Sequence, residues 1–113
     1  MSYEDLRIYK LSLEGVKYVF KITKSASLKS NFSLNDQILR ASTSISANIA
    51  EGYGRGSKKE FKYFLTISIG SVNEVKAFLD IISTLYSDIK TEEIKNIYER
   101  LGKQIWTFRK TIK

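Results

Sequence analysis

The sequence predicts an all-α protein, an antiparallel up-down four-helix bundle forming one domain over residues 1–113. Three observations carry that prediction. Apolar residues recur at spacings of three and four through four long stretches, the period of a helix with one buried face. There is no proline, and the glycines are few and clustered, which favours long uninterrupted helices over a turn-rich β fold. The joints between the stretches are short and polar, which favours antiparallel neighbours. At 113 residues and 42% apolar content the chain can bury one core.

The first helix is expected from about Asp5 to Lys24, capped by either Ser2 or Asp5. Leu6, Tyr9, Leu13, Val16 and Phe20 form its apolar face, and Lys10, Lys17, Lys21 and Lys24 follow the same period on another. Gly15 interrupts it at up to ~1 kcal/mol relative to alanine. Either a closely packed neighbouring helix or a tolerated defect accounts for that. Ser25 to Asn31 reads as the first connection.

The second helix is expected to start near Ser33, with Asp36 completing a weakened capping box. Leu34, Ile38, Ala41, Ile45 and Ile49 make its apolar stripe, and Gln37, Arg40, Ser44, Asn48 and Glu51 make a polar one. Ser42, Thr43, Ser44, Ser46 and Asn48 compete for backbone hydrogen bonds, so packing rather than propensity has to hold this helix. Its small residues admit a close neighbour, and Arg40, Asn48 and Glu51 are candidates for a shared polar network. Gly52 is expected to end it as a C′ residue.

The third helix opens on a full capping box, Ser57 with Glu60. Phe61, Phe64, Ser68, Ser71 or Val72, Val75, Phe78 or Leu79, Ile82 and Leu85 carry its face to about Tyr86, roughly 30 residues or ~45 Å. Gly70 and Ser71, with Glu74 a turn on, are expected to mirror the small residues of the second helix. Ser87 to Lys90 is a short connection. Thr91 caps the fourth helix, Glu92 and Glu93 suit its positive end, and Ile94, Ile97, Tyr98, Leu101, Ile105, Phe108 and Ile112 form its face. Arg100, Lys103 and Lys110 line its basic side.

Composition narrows the chemistry. With no Cys and no His, disulfides, thiolate chemistry, Ser-His and Cys-His pairs and most transition-metal sites are excluded, although Asp and Glu remain able to hold Mg²⁺. Of the carboxylates, Glu60 belongs to a capping box and Asp80 to a solvated face. Glu51 and Glu74 read as partners for Arg40, Arg55 or Asn48. The expectation is therefore no catalysis, no metal and no cofactor. The opening residues lack a signal peptide, and no apolar run approaches the ~20 residues of a membrane span, so a cytoplasmic protein without a membrane partner is expected.

The net charge of +7 favours an anionic partner, most simply nucleic acid, against the plainer view that lysine-rich helical surfaces need none. Gly52-Tyr53-Gly54-Arg55-Gly56 precedes a helix N-terminus, a natural anion site. No strand precedes it and no full phosphate-loop pattern is present, so it reads as a tight interhelical turn. Arg55, Lys58, Lys59 and Lys62 still offer a place for a phosphate backbone, with Tyr53 as an exposed aromatic. Together with the lysines of the first helix they form the expected nucleic-acid-binding set. Trp106 and the other tyrosines read as core, interface or stacking residues.

A family pattern runs through these stretches. Asp5-Leu6-Arg7-Ile8-Tyr9, then Gln37-Ile38-Leu39-Arg40-Ala41, then Ser44-Ile45-Ser46-Ala47-Asn48-Ile49-Ala50-Glu51-Gly52-Tyr53-Gly54-Arg55, then Phe64-Leu65 and Gly70-Ser71 with Glu74 carry it. The chain resembles the bacterial four-helix-bundle proteins encoded by intervening sequences in 23S ribosomal RNA genes. Ser46 stands where that family often has proline. The resemblance implies a ring-like homopentamer and no known enzymatic activity. It extends to the accessory protein of diversity-generating retroelements, a similar bundle that binds a reverse transcriptase and nucleic acid. The expected function is a non-catalytic, basic homo-oligomer that binds RNA or DNA; the alternative is a protein–protein adaptor such as a reverse-transcriptase accessory subunit.

Overall fold

The computed structural model describes residues 1–113. A short 3-10 turn over Tyr3–Asp5 leads into four helices: α1 (Arg7–Thr23), α2 (Phe32–Gly54), α3 (Lys58–Leu85) and α4 (Glu92–Lys110). They form a compact four-helix bundle measuring 45 × 20 × 19 Å. Each helix packs on the next in sequence and α1 closes against α4, while α1 and α3 do not meet across the diagonal.

Local chemistry sets the helix starts. The Ser2 N–H donates to Asp5 Oδ2 at 3.0 Å, so these two residues close the 3-10 turn and α1 begins only at Arg7. Asn31, not Ser33, caps α2: its Oδ1 accepts the Leu34 N–H at 3.1 Å. Ser33 lies inside the helix and accepts from Gln37 Nε2 at 3.1 Å. At α3 Ser57 caps the helix as the sequence predicts, but the reciprocal bond of a full capping box, from the Ser57 N–H to the Glu60 side chain, is absent. Ser57 Oγ accepts the Glu60 N–H at 3.1 Å and donates to the Glu60 carboxylate at 3.2 Å. Thr91 occupies the N-cap of α4 without a side-chain cap bond.

The core is the apolar seam of all four helices. Val19, Ile38, Ile45, Ile49, Leu65, Leu79, Leu101 and Ile105 are wholly buried; a buried aliphatic side chain of this size contributes about 1.5–3 kcal/mol. The stripes expected on α2 and α4 are the buried ones. On α1 the expected face is buried only in part: Leu6 and Tyr9 pack against the edge of the core and Val16 is half-buried. Leu13 and Phe20 are 41% and 51% exposed, and Ile8, Leu11, Ser12, Gly15 and Val19 turn inward instead. The reason is steric. Ser12 Oγ hydrogen-bonds Ser46 Oγ on α2 at 2.8 Å. A Cβ on Gly15 would lie 2.6 Å from the Tyr98 hydroxyl, so the inward face of α1 is the one small enough to receive its neighbours. Of the two explanations for Gly15, close packing is correct.

Tyr98 is fully buried there. Burial pushes its phenol well above the usual value, with Ser42 a smaller opposing influence. Ser42 Oγ donates to the Leu39 carbonyl at 3.0 Å, and the Tyr98 hydroxyl has no hydrogen-bond partner of its own.

Between α2 and α3, small polar residues join the helices. Ser68 Oγ donates to the Ile45 carbonyl at 3.1 Å, and Ser44 Oγ lies 3.0 Å from Ser71 Oγ. Gly52 is buried against Phe61 and Phe64, and a Cβ there would lie 2.7 Å from Phe64 Cβ. It does not end α2 as expected. The helix continues through Gly54, and the reversal comes at Gly56, whose φ of 84° suits glycine. Gly70 departs from expectation in the opposite sense: it is exposed, and a Cβ there would meet nothing within 4 Å. Leu85, expected on the inner face, is also exposed. At the far end of the bundle, Leu28 and Ile89 plug the core, Ser27 bonds Asp88, and Asn31 Nδ2 donates to Tyr86 Oη at 3.0 Å. No helix is long and apolar enough to cross a membrane.

Candidate nucleic-acid interface

The first turns of α3 and the last turns of α4 lie side by side. Arg109 Nε fixes them, donating to the Lys62 carbonyl at 3.1 Å and to Thr66 Oγ1 at 2.9 Å. Lys58, Lys59, Lys62, Arg109 and Lys113, with Tyr63 and Thr66, then surround a depression of about 610 Å³. No acidic side chain lines it, and none of its cations is in a salt bridge. Lysines held together without carboxylates repel one another, and an anion relieves that repulsion. The N-terminus of α3 adds its positive end to the same field. Trp106 stands beside the depression, with Arg109 Cζ 5.9 Å and Lys110 Nζ 5.3 Å from its ring.

Of the expected binding set, this depression brings together Lys58, Lys59 and Lys62. Tyr53 and Arg55 are close in sequence but differently employed. Tyr53 lies in the last turn of α2, half-buried. Its hydroxyl donates to the Met1 carbonyl at 3.0 Å and its ring meets Phe61 edge-on, so it is not a free stacking surface. Arg55 lies 2.9 Å from Glu51 and 3.9 Å from Glu60, and its guanidinium covers Phe64. It is neutralised locally and ties the turn together.

Lys10, Lys17 and Lys21 on α1, and Lys24 at its C-cap, are exposed, and α1 borders α2 and α4 but not α3. They lie across the bundle from Lys58, Lys59 and Lys62, so the expected set divides into two surfaces. Lys10 shares its surroundings with Asp5 and Glu14 as well as Arg7 and Arg100, a mixed field. Lys24 sits 4.7 Å above the Phe20 ring.

The polar stripe of α2 does not form one network. Arg40 pairs with Asp36 at 2.9 Å, Glu51 with Arg55, and Asn48 Nδ2 with the Ser44 carbonyl at 2.8 Å, all within one turn. Gln37, Arg40, Ser44 and Glu74 line a small surface hollow of about 320 Å³ with Phe78. Gly54 is an exposed helical residue with open space beside it. The carboxylates named in the sequence do not converge: Glu51 is engaged by Arg55, Glu60 by Ser57, and Asp80 by Lys95 at 2.7 Å.

Residues 4–107 match the family model described as 23S rRNA-intervening sequence protein. The chain belongs to that family. Its fold is shared by a crystal structure at 1.70 Å resolution, a protein of unknown function from the S23 ribosomal protein family of Bacteroides thetaiotaomicron. The two are 27% identical with a TM-score of 0.82, over 91% of this chain and 98% of the other. No curated protein matches the sequence. In this member of the 23S rRNA-intervening sequence protein family, the sequence reading missed Arg109 and Lys113. Lysines at one helix start and cations at another helix end are visible separately. Only the pairing of α3 with α4 makes them one surface. The available sign was the short α3–α4 connection, which lets the last turn of one helix return to the first turn of the other.

Proposed function

We propose that this protein is a non-catalytic, basic nucleic-acid-binding protein that works as a homo-oligomer in the cytoplasm. The observation that carries the reading is the acid-free depression formed by Lys58, Lys59, Lys62, Arg109 and Lys113. Phosphate contacts by lysine and arginine supply sequence-independent affinity, and the net charge of +7 adds long-range attraction. The family description refers to 23S rRNA-intervening sequences, which fits an RNA-linked role.

The assembly we infer is a ring-like homopentamer of antiparallel up-down bundles. The ring of five follows from the family resemblance and the up-down order from the short connections; the support for self-association is apolar surface that the single bundle leaves uncovered. Leu13 and Phe20 on α1 face outward, as do Ile81 and Leu85 on α3. Such rows are the usual mark of a contact surface.

Binding and assembly are tested together. The chain is expected to bind RNA or DNA with steep salt dependence, a log–log slope of about −0.9 per neutralised duplex phosphate or about −0.7 for a single strand. The combined change Lys58→Glu, Lys59→Glu and Lys62→Glu should reduce affinity and flatten the slope. Lys58 and Lys59 lie in the first turn of α3, where glutamate suits the macrodipole, and Lys62, one turn on, is outside the buried core, so circular dichroism should report an intact fold. Light scattering should give a pentamer of the 13.0 kDa chain. Absence of binding to any nucleic acid at low salt would overturn the reading. Capture of a protein client that survives nuclease treatment, with no such binding, would support the adaptor alternative.

A further inference from the structure

Two exposed aromatic rings border the cationic depression. Tyr63 lines it directly and is 61% exposed, and Trp106 is 48% exposed. Past Trp106 the seam between α3 and α4 continues into a second hollow of about 240 Å³, lined by Ile69, Asn73, Lys103 and the ion pair Lys76–Glu99 among others, a mixed field unlike the acid-free depression. From Lys58 to Lys76 the α3 axis rises ~27 Å at 1.5 Å per residue. Cations therefore gather at one end of the seam, with aromatic surface next along it.

We infer that this seam holds a single-stranded polynucleotide, its phosphates on the lysine–arginine cluster and a base stacked on Trp106. The inference rests on the nucleic-acid reading above and narrows it to one class of strand. In a duplex the base faces are already stacked on one another, whereas a single strand offers them to an aromatic side chain regardless of sequence. The cations line a depression of about 610 Å³ between two packed helices, room for a short piece of one strand but not for the body of a duplex. The pairing of charge and ring is also pre-positioned. Arg109 is bonded to the Lys62 carbonyl and Thr66 while its guanidinium lies over the Trp106 ring. Arg109 and Lys110 lie over part of the indole, so a base stacks on the ring surface they leave exposed, within reach of the same cations that take its phosphate.

Trp106 is the chain's single tryptophan, so its fluorescence reports on this place alone. The full chain would be titrated at low salt with a short single-stranded RNA, a single-stranded DNA of the same sequence, the matching duplex, and inorganic polyphosphate. Both single strands should quench the indole and bind more tightly than the duplex, while polyphosphate binds without stacking. Trp106→Ala should weaken single-strand binding roughly 5- to 150-fold, Trp106→Phe should retain most of it, and polyphosphate binding should be unchanged in both, which also reports an intact cationic site. Duplex binding as tight as single-strand binding, or full single-strand affinity in Trp106→Ala, overturns this inference and leaves the broader reading in place. Failure of every nucleic acid to bind the unaltered chain overturns both.

Discussion

Gly52 and Gly70 look alike in sequence, each a glycine in a helical pattern with a small residue within two positions and a glutamate within four. In the folded bundle they occupy opposite situations. Gly52 sits in the seam between α2 and α3, where Phe61 and Phe64 fill the space a side chain would need. Gly70 faces outward from the middle of α3, with open space beside it. Between them the difference teaches that small residues mark close approach only where bulk from a second element arrives. The seam has aromatic rings and the Ser44–Ser71 and Ser68–Ile45 bonds across it. The outer face of α3 has no partner within the chain, and its glycine carries only a helix-propensity cost.

The strongest way to break that contrast is Gly52→Leu. Overfilling a site whose nearest obstruction is the Cβ of Phe64 should lower stability by about 3 kcal/mol or more, read as a fall in the denaturant midpoint at unchanged m-value. A midpoint equal to that of the unaltered chain would mean that the seam yields easily. Gly70→Ala should act in the opposite direction and more weakly, raising stability by up to ~1 kcal/mol because it replaces an exposed helical glycine without touching a neighbour. A loss of stability there would show that the outer face is packed in solution, and a coupled change in measured mass would locate that packing between copies.

The smallest expected effect concerns Tyr98, which fills the space left by Gly15. Burial holds its phenol protonated above its ordinary value of 10.0. Just above that pH the unfolded chain has released this proton and the folded chain has not, so unfolding is favoured as pH rises. The contribution is complete below pH 10 and is lost on going up. Tyr98→Phe should change stability at neutral pH by less than ~1 kcal/mol, since the hydroxyl has no hydrogen-bond partner to lose. It should also remove part of the alkaline fall. Identical pH profiles for the two proteins above pH 10 would refute the buried, unpartnered phenol.

The helices were legible because burial of one face imposes a period, and the stripes of α2 and α4 keep one apolar row apiece. On α1 the same logic selected a row that is only partly buried. That helix carries two rows, and the larger side chains, Leu13 and Phe20, are in the outer one. The inner row contains Ser12 and Gly15 because it must receive Ser46 and Tyr98, and the shape of a neighbour is not written in local periodicity. Gly52 was misread for a related reason. Glycine both ends helices and admits neighbours, and only the position of Phe64 distinguishes the two uses here. For the candidate interface, Lys58, Lys59 and Lys62 were visible as a cluster. The engagement of Tyr53 by Met1 was not, because it is a contact over 52 positions in sequence; for Glu51, Arg55 was one of three expected partners, and the fold selects it over Arg40 and Asn48.

The hydrogen bonds from Arg109 to Lys62 and Thr66 carry a thermodynamic consequence. The depression at the end of the bundle has one wall from α3 and one from α4, so it exists only while the last turns of α4 are docked. Whatever anion it holds must therefore favour the docked state over the frayed one, and by mass action occupancy and docking rise together. Helix termini are ordinarily the first parts of a fold to open. In this protein the terminus of α4 is one half of the site, so its opening rate sets an upper limit on how long an empty site persists, and a bound ligand should protect the amides of those last turns from exchange.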